Sequence, residues 1–314
     1  MDVITSASTD NIDFVMSSAS RVDARTHMRI GYDRLVPDKG FSVGGKTGFS
    51  IESDYLSIGN ELSFAHANRA RTREWLLGLQ FFYDDLRWGR FDTGKPEKLI
   101  YPSELRYKEW FDHYRRNSYN LYFSYAWVID RRTSISVSPS VSYQSGLLST
   151  PFHRVYFTDD TKRVENLPGH RFKVPIGFQL NRFVGSIVVL RTGYRFYADD
   201  FGITAHTFNV EAAVKVSHDV TLTPLARIHW QRGTRYFNPY GEHDPNSEFQ
   251  TSDYDLSTFA SFKPGVALRF APFATAKNFK AIEIRYVYYK RSDGLDSHMI
   301  TTYFDFSREK RNTR

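Results

Sequence analysis

The 314-residue sequence predicts an all-β fold, a transmembrane antiparallel up-and-down β-barrel of about fourteen strands. Three observations carry this expectation. Apolar and polar residues alternate with period two over segments of about ten residues, which is the length a tilted strand needs to cross a bilayer. No run approaches the ~18 apolar residues of a membrane helix, and the mean hydropathy of −0.48 suits a chain in which half of every strand faces a wet lumen. Finally, long connections alternate with short ones, as in barrels with tight turns on one side of the membrane and loops on the other.

Thirteen segments pass the alternation test. Arg25–Arg34 sets Met28, Ile30 and Tyr32 against His27, Arg29, Gly31 and Asp33. After the turn Pro37-Asp38-Lys39-Gly40 come Phe41–Ile51, which is Gly-rich and therefore weaker as a strand, and Tyr55–Phe64. Glu74–Asp84 presents Trp75, Leu77, Leu79, Phe81 and Tyr83 against Glu74, Gly78, Gln80 and Asp84. Tyr119–Trp127 follows, and Ser134–Gln144 alternates Ile135, Val137, Pro139, Val141 and Tyr143 with serines and Gln144. Phe172–Leu180 and Val188–Phe196 precede the clearest stretch, Thr207–Gln231. Its even-numbered residues from Phe208 to Val216 and from Val220 to Trp230 are apolar, and the break at His218-Asp219 makes the turn of a long hairpin. Phe262–Phe270, Ile282–Tyr288 and Ile300–Phe306 complete the set. Pro139, Pro175, Pro224 and Pro264 lie inside these strands and run against the assignment, because proline has no N–H to give a ladder.

The long connections, Gly89–Asn117, Ser145–Arg171 and Arg232–Ser257, all follow even-numbered segments, which puts that side outside the cell and the last strand's end in the periplasm. One upward strand is then missing. Asp10–Ser17 supplies it, with Ile12, Phe14 and Met16 alternating against Asn11, Asp13 and Val15. An even count closes an antiparallel barrel and leaves no unpaired edge in lipid. The expected organisation is an N-terminal segment 1–9, a barrel 10–307 and a basic tail 308–314.

Twenty Tyr and 26 Phe favour strands and interfacial girdles. With no cysteine, neither disulfides nor thiolate metal sites can form, which is compatible with an exported bacterial protein of the outer membrane. The start Met1-Asp2-Val3 has neither a basic nor an apolar leader region, so a mature chain with its leader removed is expected. A net charge of +7 raises nucleic acid as a partner, but the Lys and Arg are spread over many strands instead of forming one basic stripe. The expected surroundings are outer-membrane lipids.

On the polar faces, Arg25, Arg29, Lys46, Lys173, Arg191, Arg195, Lys215, Arg227, His229, Lys263, Arg269 and Arg285 are expected to line the lumen, with Glu61, Glu74, Asp84, Glu211, Glu283 and Asp305. A basic pore would lower the barrier for anions. The plainer reading, and the favoured one, is a lumen braced by Arg–Glu pairs on nearby strands. Outward Trp75, Tyr83, Tyr119, Trp127, Tyr143, Tyr194, Trp230, Tyr288 and Phe306 read as a lipid-interface girdle rather than a sugar-stacking site. The loop Tyr240–Asp255 gathers carboxylates and His243 without calcium-loop spacing, and a solvated acidic loop is expected there. Asp84-Asp85, Asp159-Asp160 and Asp199-Asp200, with His113, His153 and His170, are a weak hydrolase signal, and no histidine spacing supports a metal. Neither catalytic residues nor cofactors are expected.

The repeat at Asp2–Ser8 and Val15–Asp23, the strand ending Gly31-Tyr32, and the segment Glu52-Ser53-Asp54-Tyr55-Leu56-Ser57 together resemble domain-of-unknown-function family 3570 of Gram-negative proteins. The resemblance implies an outer-membrane barrel and a genomic setting of small lipoproteins, thioredoxin-like proteins and flavin transferases. It transfers no catalytic residue. Three functions are therefore expected, in this order: a non-enzymatic porin-like channel for small solutes, anion-biased or narrowed by its loops; a scaffold holding a lipoprotein or periplasmic redox partner; an outer-membrane hydrolase.

Overall fold

The computed structural model describes residues 26–36, 40–51, 55–86, 91–92, 95–99, 115–149, 154–272 and 279–306. In chain order the elements are β1 (Thr26–Val36), β2 (Phe41–Ile51), β3 (Tyr55–Ala67), β4 (Arg73–Leu86), the small hairpin of β5 (Phe91–Asp92) and β6 (Lys95–Leu99), β7 (Arg115–Asp130) and β8 (Thr133–Gly146). A second small hairpin follows, β9 (Arg154–Tyr156) with β10 (Lys162–Val164), and then β11 (His170–Val184), β12 (Val188–Asp199), β13 (Thr204–Lys215) and β14 (Val220–Arg232). The chain continues through a 3-10 turn at Tyr254–Leu256 into β15 (Phe259–Phe270), β16 (Phe279–Arg291) and β17 (Asp296–Phe306).

Thirteen strands, all but the two small hairpins, form one sheet whose spatial order is the chain order. Every ladder in it is antiparallel. Because directions alternate and the count is odd, β1 and β17 run the same way, and among the described residues neither has a partner on its outer edge. The expected upward strand Asp10–Ser17 lies outside the described residues, as do the segment 1–9, the tail 308–314, Arg25, His113 and His153.

The observed strands are longer than the alternation suggests, chiefly at the loop side. Arg115–Asp130 has 16 residues where Tyr119–Trp127 was expected, and the connections expected at Gly89–Asn117 and Ser145–Arg171 shrink accordingly. Above the lipid both faces of a strand meet water, so hydropathy stops alternating while the hydrogen-bond ladder goes on.

Each interior proline interrupts one ladder and leaves the other intact. Pro139 falls in a gap of the β7–β8 ladder yet faces Ile176 on β11, and Pro175 falls in a gap of the β8–β11 ladder yet faces Tyr197 on β12. Pro224 interrupts β13–β14 but faces Val266, and Pro264 interrupts β15–β16 but faces Ala226. In an antiparallel strand a residue's N–H and C=O point to the same neighbour, so a missing N–H weakens only that side.

The even–odd split places apolar side chains on the convex face, where Phe178, Leu268 and Ile284 are each about half exposed. A soluble monomer does not present so continuous an apolar belt, and lipid is the solvent that suits it. Aromatic clusters edge the belt: Phe41 packs edge-on to Trp75 near the tight turns, and Tyr119 contacts Phe81 and Tyr143 nearer the loop side. The polar face is concave, since Arg285 on β16 reaches Glu211 on β13 across two intervening strands. Glycine permits the close packing there: a Cβ on Gly78 would sit 2.0 Å from the Tyr122 ring, which lies over that bare backbone and couples β7 to β4.

Among the described residues, most of the fully buried apolar side chains belong to the loops, not the sheet. Val155, Phe157 and Leu167 are buried on the β8–β11 connection and Phe201 and Ile203 on the β12–β13 connection, where Phe201 packs edge-on against Tyr236 of the β14–β15 connection. Isolated bridges Phe157–His243, Asn166–Gln250 and Phe237–Thr251 knit these connections into a cap.

Candidate functional site

The concave face carries two ion-pair groups at mid-height. In the first, Glu61 on β3 accepts from Lys46 on β2 at 3.2 Å and from Gln80 on β4 at 3.0 Å. In the second, Glu211 accepts from Arg285 at 3.3 Å and lies 3.8 Å from Arg191 on β12, while Arg285 also donates to Glu283 at 3.3 Å. Arg269 on β15 stands 3.6 Å from Asp305 on β17. The Nε of Arg285 is buried without a hydrogen-bond partner among the described residues.

These pairs leave a cationic remainder. Among the described residues Arg195, Arg227 and Lys263 have no carboxylate partner. Register explains their grouping: Arg227 on β14 stands opposite Lys263 on β15 and Asn209 on β13, and Asn209 in turn faces Gly193, two residues before Arg195 on β12. Arg191, Arg195 and Arg227 line a cavity of about 440 Å³ with Ser136, Gln179 and Asn209. Its chemistry is cationic and rich in hydrogen-bond donors.

The remaining residues expected in the lumen are distributed along its height. Arg29 borders a second cavity, of about 610 Å³, beside Lys46 and Glu61. Glu74 and Lys215 are exposed at the tight-turn rim, at the start of β4 and the end of β13. His229 shares a hydrogen bond of 2.8 Å with Thr207 and packs against Phe259. Lys173 is near the other rim of β11, close to Arg171 and Asp199.

At that rim and in the β9–β10 turn, one member of each acidic pair of the hydrolase reading is held in a structural contact. Asp84 accepts from Arg116 at 3.0 Å, and Asp199 takes both Arg171, at 2.5 Å, and the Tyr197 hydroxyl, at 2.8 Å. Asp159 accepts from the hydroxyl and N–H of Thr161 in the β9–β10 turn, which holds its carboxyl below the usual range. His170 is exposed at the start of β11. No cluster of three potential metal ligands occurs among the described residues.

Inward-facing rim residues hold the foot of the β14–β15 connection, from which the cap rises. Gln231 donates to the carbonyls of Asp255 and Ser257, and Arg291 binds Asp255 at 2.6 Å, Asp293 at 2.5 Å and the Tyr254 carbonyl, with its guanidinium over Phe259. On the far side Arg171 lies over Phe201, whose carbonyl accepts from Thr234. The expected solvated loop Tyr240–Asp255 needs correction: Glu242, Asp244 and Glu248 are exposed, but His243, Gln250 and Thr251 are buried in the cap. Thr251 donates to Glu165 at 2.5 Å, and His243 shares a hydrogen bond of 3.1 Å with Ser252. Burial pushes the His243 imidazole below its ordinary value of 6.5.

Alternation pointed to the lumen cations but not to Tyr122, Arg171, Arg291 or the cap residues. Their positions depend on curvature and on contacts between distant connections.

The profile of the protein family of unknown function DUF3570 matches residues 4–300. The chain belongs to that family. No curated protein matches it. Among solved structures, the ferric enterobactin receptor PfeA aligns with a TM-score of 0.52 at 10% identity, covering 85% of this chain and 43% of the receptor. A mutant of PfeA from Pseudomonas aeruginosa gives 0.50 at 12% identity, with the same coverage. BamA from Haemophilus ducreyi, lacking POTRA domains 1–3, gives 0.46 at 12%, covering 89% of this chain and 62% of that one. This DUF3570 chain thus spans roughly half the length of the solved proteins it resembles. The likeness shows the fold, a transmembrane antiparallel β-barrel.

Proposed function

We propose that the protein is a non-enzymatic barrel of the bacterial outer membrane that admits small anionic solutes to a lumen narrowed by its outer cap. The observation that carries this reading is the cationic remainder: Arg195, Arg227 and Lys263 stand together, unneutralised among the described residues, while neighbouring cations are paired. A lumen of one sign lowers the entry barrier for the other. The cap supports narrowing, since its anchors Gln231 and Arg291 face inward.

Purified protein in planar bilayers tests the reading. Small steps with a reversal potential favouring chloride over potassium are expected at low salt. Cation preference, or no conductance even after the cap segment 237–251 is replaced by a short Gly-Ser linker, would refute it. The scaffold reading, with a lipoprotein or periplasmic redox partner, rests on the family setting alone, and the concave face favours the conduit.

A further inference from the structure

The cavity between β8 and β14 has the features of a binding site rather than a uniformly charged wall. Its floor is bare: Gly177 and Gly193 stand where side chains would otherwise fill it. At Gly193 a Cβ would meet the Asn209 amide at 2.6 Å, so the missing side chain lets that amide lie flat across the strand. Two arginines line this floor, Arg195 on β12, two residues beyond Gly193, and Arg227 on β14. With strands spaced ~4.8 Å apart, β12 and β14 are about 10 Å apart, and two extended arginines can converge on one ligand across that gap. Ser136 and Gln179 add neutral donors from β8 and β11, the Gln179 amide keeping a second N–H beyond the one it gives to Asn181.

The selectivity of this arrangement comes from its neighbours. Glu211 borders the same cavity, but Arg191 and Arg285 both occupy it. It therefore tethers two cations without neutralising Arg195 or Arg227. A guanidinium fork surrounded by hydroxyl and amide donors matches an oxyanion, whose two oxygens accept parallel N–H bonds, and suits a spherical halide less well.

We infer that the lumen holds a discrete subsite for a small solute carrying two or more oxyanion charges, gripped by Arg195 and Arg227 and oriented by Asn209 and Gln179. This rests on the anion-admitting reading above and sharpens it from a charge preference to a chemical class. Phosphoryl and carboxyl oxyanions share the required geometry.

Calorimetric titration of the detergent-solubilised full chain tests the subsite independently of conductance, with inorganic pyrophosphate and succinate as separate probes. Saturable binding of at least one probe near one equivalent is expected, surviving chloride at tenfold excess over the probe. The pair Arg195→Gln/Arg227→Gln should weaken it by about tenfold or more, the loss expected for removed charge-assisted hydrogen bonds. Arg131→Gln/Arg132→Gln removes the same two charges at the exposed β7–β8 turn and should change it by less than about twofold, because charges there are screened by salt. Equal losses in the two pairs would show a general field and overturn the subsite, as would absence of saturable binding in the native chain. Heat-modifiable migration of each variant on a denaturing gel confirms that the barrel is intact. A chain that conducts but does not bind loses the subsite and keeps the conduit; one that binds without conducting does the reverse.

Discussion

Neutralising Glu211 tests the electrostatics of the lumen most directly. In Glu211→Gln the amide can still accept from Arg285, now 3.3 Å from the carboxylate, so the wall should keep its shape. The lumen nevertheless loses one negative charge beside the cavity lined by Arg191, Arg195 and Arg227. For an anion passing at roughly 5 Å in water, removing a unit charge changes its energy by about 0.8 kcal/mol, which is about fourfold in local concentration. Because potassium loses what chloride gains, the chloride-to-potassium permeability ratio from reversal potentials should rise by up to the square of that factor, about sixteenfold, at low salt and by much less at ~1 M, where the screening length is ~3 Å. An unchanged ratio at low salt, with normal heat-modifiability, would mean that the permeating ion does not pass this face. A fall in the ratio would mean that Glu211 does not set the local potential.

Other perturbations probe the rest of the structure. Gly78→Val forces Tyr122 off the β4 backbone and should cost about 1–3 kcal/mol, read as a lower midpoint of urea unfolding; an unchanged midpoint would remove the ring's coupling role. Phe157→Ala empties the centre of the cap at a cost of about 3–5 kcal/mol, so protease should cut the 154–166 segment faster while the sheet stays resistant. The buried, neutral His243 should make the cap acid-sensitive. Its folded value lies below 6.5, so its contribution is intact above that pH and is lost as the pH falls through the folded value. Amide exchange in residues 154–166 should therefore accelerate on acidification, and His243→Phe should flatten that profile; greater protection in acid would contradict the sign. Deleting residues 10–17 should abolish heat-modifiable migration if that segment is the fourteenth strand, and full retention would show that closure is achieved another way.

How much of this could be read from the chain differs by level. The hairpin of β13 and β14 was legible because lipid on one side and water on the other impose period two on Phe208 through Trp230. The first four residues of β7, Arg115–Ser118, were not, since hydropathy carries no signal where both faces are wet. The prolines looked like contradictions because sequence does not say which neighbour a residue pairs with. Glu211 and Arg285 were legible as inward charges, but their meeting across β14 and β15 depends on curvature. The cap was illegible for a stronger reason: its core joins connections whose residues have no periodicity and lie far apart, as with Glu165 and Thr251 at a separation of 86.

That separation also has a kinetic consequence. Apart from the two small hairpins, every ladder of the sheet joins strands that neighbour one another along the chain, so each closes a loop far shorter than 86 residues. Bringing together chain points 86 apart carries a closure entropy of about 4 kcal/mol by the logarithmic law, against about 1 kcal/mol for a four-residue turn. The hairpins of the wall are therefore expected to form before the cap docks onto their rim. Until the cap docks, the mouth is expected to stand open, with the arginines of β12 and β14 reachable by solutes before the cap narrows their approach.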